Sequence, residues 1–354
     1  MRQKVSTSAP AATTVLIPTF NRASLIGQSI DSVLNQTRPP AQVIVIDDGS
    51  DDATGEVVST YGDKVRYLRQ ENAGKSSALN LGLTHVETSF VWIFDDDDIA
   101  APDALQRLLQ VLEQSPDAGY SYGRCDKFHG DWPATERTLN YAFHGDSREA
   151  LYVKLMEDFF LWQGAMLVRK EVYDAVGPFD QRFSRSQDYE MALRIARRFD
   201  GVAVPFVAFH QRHHSGVRGT RAAPVQAALI EETWRRYNHL LFREIHSSHD
   251  LEEFYIPSDE PEEGDRRVVV CLIQRASIMA RKGLWTSRRP TTQPLRRSRR
   301  AAHIGRSCFR KLCHCARSSS RAPAPSSTRE RRPCRSPRPS RDFRGKCAWR
   351  SSPT

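Results

Sequence analysis

The chain has 354 residues, 39% of them hydrophobic and 27% charged, enough apolar material for one large domain or two ordinary ones. A net charge of +10 points first to a nucleic-acid partner. However, residues 284–354 alone hold 18 Arg and 2 Lys against one Asp and one Glu, which leaves −8 over residues 1–283. The part able to fold is acidic, which argues against a nucleic-acid partner for it. No run of 18 apolar residues marks a membrane-spanning helix, and the N-terminus lacks an apolar signal core.

Residues 10–123 alternate strand and helix. Thr14–Ile17 is a β-rich run, and Leu25, Ile26, Ile30, Val33 and Leu34 recur at helical spacing. After Pro39-Pro40, the continuous apolar run Val43–Ile46 has the character of a buried parallel strand. Residues 54–60 and 76–85 are expected to be helices, Val65–Leu68 and Phe90–Phe94 strands. Pro102 is expected in the first turn of a helix bearing Leu105, Leu108, Leu109 and Leu112. This order predicts an α/β fold, a mostly parallel sheet flanked by helices.

Residues 124–223 form a less regular second half. Helices are expected over 150–160 and 188–198, with a strand over 164–169. Residues 224–283 read as a helical extension, with helix over 225–245, an acidic loop at 258–265 and an apolar segment at 268–278. Beyond this the Arg/Ser/Pro-rich tail, 284–354, has three readings. It is a basic arm for anionic partners, a disordered segment, or the product of a shifted reading frame. Cys125 and Cys271 are the only cysteines before the tail, too few for a disulfide framework and in keeping with a reducing compartment. Cys308, Cys313 and Cys315 around His314 do not match a paired zinc pattern.

The chemistry gathers where strands end. Val43–Ile46 runs into Asp47-Asp48-Gly49-Ser50-Asp51-Asp52, and Phe90–Phe94 runs into Asp95-Asp96-Asp97-Asp98. Ligands of open α/β sheets bind beyond the carboxyl ends of the strands, so both clusters should face one crevice. Two carboxylates about 5 Å apart repel by roughly 3 kcal/mol at an effective dielectric of about 20. Four in a row therefore call for a cation or for turning some into solvent. An all-oxygen cluster suits Mg²⁺ or Mn²⁺. Taken alone, the four acids are equally a solvated turn.

Four segments come in register: Pro18-Thr19-Phe20-Asn21-Arg22, then Asp47-Asp48-Gly49-Ser50, then Asn72-Ala73-Gly74-Lys75, then Asp95–Asp98 before Pro102. In this order and spacing they resemble the nucleotide-binding half of family 2 glycosyltransferases, which have the GT-A fold, a Rossmann-like sheet. The resemblance covers residues 13–123 closely and 150–220 more loosely. It implies that Pro18, Thr19 and Phe20 hold the nucleobase, with core packing the alternative for Phe20. Asp48 would accept a uracil imide N–H and Asp47 would support that turn. Lys75 would meet base or phosphates, Asn80 would bond a turn, and Asp95 and Asp96 would belong to the donor site, Asp95 reaching the ribose. Asp97 would hold Mg²⁺ or Mn²⁺, with Asp98 assisting or capping a helix.

The acceptor side resembles the family through Gly164–Arg169, Gly177-Pro178-Phe179-Asp180, and Gln187-Asp188, where the family usually has Glu-Asp. Asp188 is then the expected general base, with a helix cap as its alternative. Trp162 stacks on a sugar or packs in the core. In Phe209–Gly216, His213 or His214 would lie near the metal, with a loop histidine of no such role the alternative, and Arg218 and Arg221 either close over the diphosphate or, the preferred reading, form a solvated face. The implied function is transfer of a sugar from a nucleotide sugar, a UDP-sugar by expectation, to a glycan or lipid-linked acceptor. Inversion is implied, in cell-surface polysaccharide synthesis. The expected location is cytoplasmic, with peripheral contact at the inner face of a membrane left open. A nucleotidyltransferase is the alternative enzyme, although Pro18–Arg22 lacks the glycines of a phosphate loop. A non-catalytic nucleotide-sugar binder of the same fold is the alternative outside enzymes.

Overall fold

The structure, a computed structural model, describes residues 12–134, 137–139, 147–213, 218–220, 223–225, 230–257 and 262–284. The readings of the tail beyond Leu284, and those of His214 and Arg221, fall outside these residues. Arg218 is described by its backbone alone.

Strands β1 (Thr13–Thr19), β2 (Gln42–Asp47), β3 (Arg66–Arg69) and β4 (Phe90–Ile93) pair in parallel in the order β3-β2-β1-β4. Helices α1 (Ile26–Leu34), α2 (Thr54–Ser59), α3 (Lys75–Thr84) and α4 (Ala104–Gln114) fill the crossovers. The apolar strand runs are buried on both faces because side chains alternate across the sheet. Leu16, Ile44, Ile46, Val91 and Ile93 enter one core cluster, and their neighbours Val15, Ile17, Val43, Val45 and Trp92 the other. Leu105, Leu108, Leu109 and Leu112 bury the inner face of α4. Pro102 lies just outside that helix, which starts at Ala104 with Asp103 at its N-cap.

Past β4 the sheet turns mixed. β8 (Met166–Arg169) runs antiparallel between β4 and β6 (Tyr120–His129), and β6 pairs in parallel with β9 (Gly201–His213). Two-residue β5 (Ile99–Ala100) and β7 (Thr138–Leu139) join β9 and β6 antiparallel. Helices α5 (Arg148–Glu157), α6 (Lys170–Val176) and α7 (Gln187–Arg198) cover this half. A small hairpin, β10 (Arg218–Thr220) and β11 (Ala223–Val225), follows. The extension holds α8 (Ile230–Ser248) and α9 (Gly264–Arg281).

The two longest strands, β6 and β9, were not expected from the sequence. Both break the usual strand signals. β6 carries Gly123, Arg124, Asp126 and Lys127, and β9 carries Pro205, Gln211 and Arg212. Their polar groups find partners across the pair: Asp126 accepts from His210 at 2.6 Å.

Among the contacts that join the halves, Trp92 Nε1–H donates to the Gly164 carbonyl at 2.9 Å. Arg169, at the end of β8 and 7% exposed, donates to the Ala118 and Leu112 carbonyls at 2.8 and 2.9 Å, in and just beyond the last turn of α4.

Among the described residues no helix is long and apolar enough to cross a membrane. Among the described residues, every buried core residue lies between Thr13 and Met279, and Leu284 closes the extension by packing on the core and donating its N–H to the Met279 carbonyl at 2.8 Å. A chain ending at Leu284 is therefore expected to unfold in one cooperative transition. Its midpoint should fall within about 4 °C of the full chain's, the shift that roughly 1 kcal/mol gives in a domain of this size. Calorimetry of the two chains checks this, and loss of the cooperative transition would mean the tail contributes to the core.

Candidate active site

The carboxyl ends of β1, β2 and β4 open into a cleft, the place where ligands of open α/β sheets bind. Pro18, Thr19, Phe20, Asp48, Lys75, Asp95, Asp96 and Asp97 line it, together with Asp98, Arg22, Gln187 and Arg212. Phe20 belongs to neither core cluster, so its ring is available to the cleft.

The four acids after β4 divide into two sets. Ligand oxygens of Asp95, Asp97 and Asp98 lie within 4.8 Å of one another. Asp96 instead turns toward Arg22, whose Nε lies 3.6 Å from its carboxylate. Burial, and then the Asp97 charge, push Asp96 up to about 7, against the pull of Arg22. Burial followed by the Asp97 and Asp95 charges holds Asp98 well above the usual carboxylate range. Asp98 does not cap α4; it accepts the Arg212 backbone N–H at 2.8 Å. Arg212 also donates to the Asp97 carbonyl at 3.0 Å and to Gly130 and Gln28 at 2.6 Å each. This buried arginine of β9 fixes the acidic turn to the sheet. No sequence signal marked it, whereas Asp98 was legible as the fourth acid of its run.

Lys75 opens α3 and points its ammonium at these acids, 2.5 Å from Asp95 Oδ1. Burial alone would lower Lys75, but the Asp95, Asp188 and Asp96 carboxylates outweigh it and hold the ammonium above its ordinary value. The expected contact with base or phosphates is thus made, without ligand, to Asp95.

Asp47 is inaccessible and accepts from Ser50 N–H at 2.8 Å and from the Tyr67 hydroxyl. Asp48 is more occupied than expected. Its two oxygens accept Gln70 Nε2, Asn72 Nδ2, Ala73 N–H and Gly74 N–H at 2.7, 3.1, 2.8 and 2.8 Å. A carboxylate has about four acceptor positions, so a uracil imide would have to displace one of these bonds. In this state Asp48 organises the 70–74 loop.

Across the cleft, Asp188 sits in the first turn of α7, one residue after Gln187. Burial raises its pKa, with Lys75 pulling the other way. Its Oδ1 accepts the Tyr189 N–H at 2.8 Å, and the N-cap of the helix is Ser186 rather than Asp188. Glu190 is held by Arg194 through bonds of 2.5 and 2.7 Å. Arg194 in turn donates to the Val176 and Pro178 carbonyls at 2.8 and 2.9 Å. Gln187, 7% exposed, lines the cleft. Asn80 bonds both backbone groups of Phe179, at 2.7 and 2.9 Å.

One expectation needs correction. His213 is not brought into the acid group. The β6–β9 register sets it opposite His129, ring centroids 5.2 Å apart, and Asp98 completes the triad instead. Trp162 packs against one core cluster beside Phe159 at 4.8 Å, with Lys127 5.8 Å over its ring.

Comparison with known proteins agrees with this geometry. Residues 14–177 match the model of Glycosyl transferase family 2. An uncharacterized glycosyltransferase of Rickettsia bellii is 26% identical over 226 residues, covering 60% of this chain and 31% of the relative. Another, of Rickettsia prowazekii, is 25% identical over 236 residues, 65% of this chain and 72% of the relative. The chain thus spans less than a third of the first relative's length. Among solved structures, S. aureus TarS has a TM-score of 0.54 at 15% identity, over 78% of this chain and 44% of TarS. Its 1–349 fragment in complex with UDP-GlcNAc has a TM-score of 0.53 at 15% identity, over 76% and 72%. The matched residues hold β1 to β4 and the acidic turn after them, which build the acidic wall of the cleft; over them the chain is similar to glycosyl transferase family 2, and its fold is that of the TarS structures.

Proposed function

We propose that the cleft binds a UDP-sugar and that the protein transfers its sugar, with inversion, to a hydroxyl of a glycan or lipid-linked acceptor, in cell-surface polysaccharide synthesis. The observations that carry this reading are the acids that line the cleft with Lys75 bonded to Asp95. Gln187, the residue before the candidate base Asp188, lines the same cleft. The UDP-GlcNAc complex of the TarS fragment supports a uridine donor.

Asp95, Asp97 and Asp98 would hold Mg²⁺ or Mn²⁺. Their all-oxygen donor set and close spacing fit such an ion. When bound, the ion supplies Lewis-acid stabilisation of the leaving diphosphate. Phe20 and Thr19 bind the base. Lys75 holds Asp95 in place. Asp188 takes the proton of the acceptor hydroxyl at its carboxylate as the hydroxyl oxygen attacks the anomeric carbon. Glu190, committed to Arg194, holds the turn before the 180–186 loop.

Asp97→Ala is expected to abolish transfer and to remove the Mn²⁺ dependence of UDP binding, while Asp96→Ala is milder because Asp96 faces Arg22. Titration calorimetry with UDP, with and without Mn²⁺, checks this. Equal losses at both positions would sink the assignment.

The acids also set a pH dependence. A folded-state pKa raised above the unfolded value favours folding at low pH, and that advantage is lost as pH rises through the folded value. The metal-free protein should therefore lose stability between about pH 4 and 7 as Asp96 ionises, with Asp98 acting in the same direction. Mn²⁺ should raise the melting temperature distinctly more at pH 7.5 than at pH 5.5. Equal shifts at both would count against the acid group as its site.

Asp188→Asn is expected to leave UDP and Mn²⁺ binding intact and to lower turnover by about 10²-fold or more, the usual scale for a positioned base. Donor turnover across a panel of UDP-sugars checks it. Full activity in Asp188→Asn with loss in Glu190→Gln would move the base to Glu190.

A further inference from the structure

The wall of the cleft opposite the acids is built by the segment between α6 and α7, through Ser184, Arg185 and Gln187. This segment leads directly into Asp188. Its start is tied locally, since Asp180 accepts the Arg182 N–H at its carboxylate at 2.9 Å and the Phe183 N–H at its carbonyl at 3.1 Å. Nearer Asp188, Ser186 takes a left-handed φ of 59° and no side chain caps α7, and neighbouring elements add support. On the inside α3 grips it: Ser76 donates to the Phe183 carbonyl at 3.1 Å, and Asn80 holds Phe179. On the outside α8 closes over it. The Phe183 and Tyr237 rings lie 6.2 Å apart, and Arg182 pairs with Glu244 at 2.7 Å. The hydroxyls of Ser184 and Tyr237 share a hydrogen bond. The Arg182–Glu244 pair is exposed and carries little energy; the Ser184–Tyr237 bond is partly buried. The end of α9 adds a second support, since Lys282 Nζ donates to the Tyr189 hydroxyl at 3.0 Å, on the residue after Asp188.

We infer that Tyr237 of α8 is a positioning residue for transfer, its hydroxyl fixing Ser184 and so the cleft wall that leads into Asp188. This rests on the proposed function for its catalytic consequence, but the anchoring itself does not. The extension is then part of the working site, although it lies outside the residues matched to the family.

The test uses the full chain with Tyr237→Phe, which keeps the ring and removes one oxygen. Without nucleotide, hydrogen exchange at residues 184–189 should speed by about 5- to 10-fold, the size that one net hydrogen bond carries, while β1, β2 and α3 stay unchanged. With Mn²⁺ and UDP-glucose, UDP-galactose or UDP-N-acetylglucosamine, release of UDP to water should fall by a similar factor, and UDP binding should hold within about twofold. Ser184→Ala should show the same loss, and the double variant should lose no more than either alone, since both remove one bond. Unchanged exchange, additive losses, or a lowered melting temperature with full turnover would each overturn the inference. Faster exchange in a protein whose parent chain turns over none of these donors would uphold the anchoring and count against the proposed function instead.

Discussion

Everything at the cleft answers to one constraint, the crowding of four carboxylates into the single turn that follows β4. At about 5 Å each ionised pair is raised by roughly 3 kcal/mol at an effective dielectric of about 20, and burial adds to that cost for Asp96 and Asp98. The chain surrounds the turn with positive groups from three separate places. Arg22 comes from the loop after β1, Lys75 from the start of α3, and Arg212 from β9 through its backbone N–H and side chain. Each is aimed at a different part of the turn. The result is an acidic turn whose shape is set by the positive groups around it.

Helix α3 serves both sides of this arrangement. Its first residue meets Asp95, its second bonds the Phe183 carbonyl, and Asn80 near its middle holds Phe179. The donor half is fixed by a parallel sheet buried on both faces, so its geometry is rigid. The opposite wall is a loop pressed between α3 and α8. Local stability is lower where backbone is held by side chains rather than by ladders, which places whatever adaptability the site has on the acceptor side.

The donor half was legible in the sequence because its signals are local. Continuous apolar runs announce buried strands, and the acids stand at their ends. The second half was less legible. β6 and β9 are interior strands whose polar residues find partners far along the chain, as Asp126 does in His210 and Arg212 in Asp97 and Gln28, and no local pattern encodes a partner more than 80 residues away. For the same reason the register that sets His213 opposite His129 was out of reach, and so was the role of Arg212. Asp48 was correctly placed at the cleft, but the four donors that occupy it come from a loop whose conformation the sequence does not state. Ser184 and Tyr237 carry no motif at all. Their meeting depends on the packing of an extension that only the assembled fold reveals.

Arg169 carries a consequence for the order in which the chain can become native. The carbonyls at the end of α4 and just beyond it are satisfied by a guanidinium that lies more than 50 residues further along, and β8, which bears it, also joins β4 to β6. On a ribosome, the parallel block β3-β2-β1-β4 is complete by Ile93, yet one edge and the end of α4 stay open until residue 169 has emerged. Through that interval the nascent chain presents an unpaired strand edge, a template for wrong pairing. The parallel half is the first to be made, and its open edge is sealed only when β8 arrives.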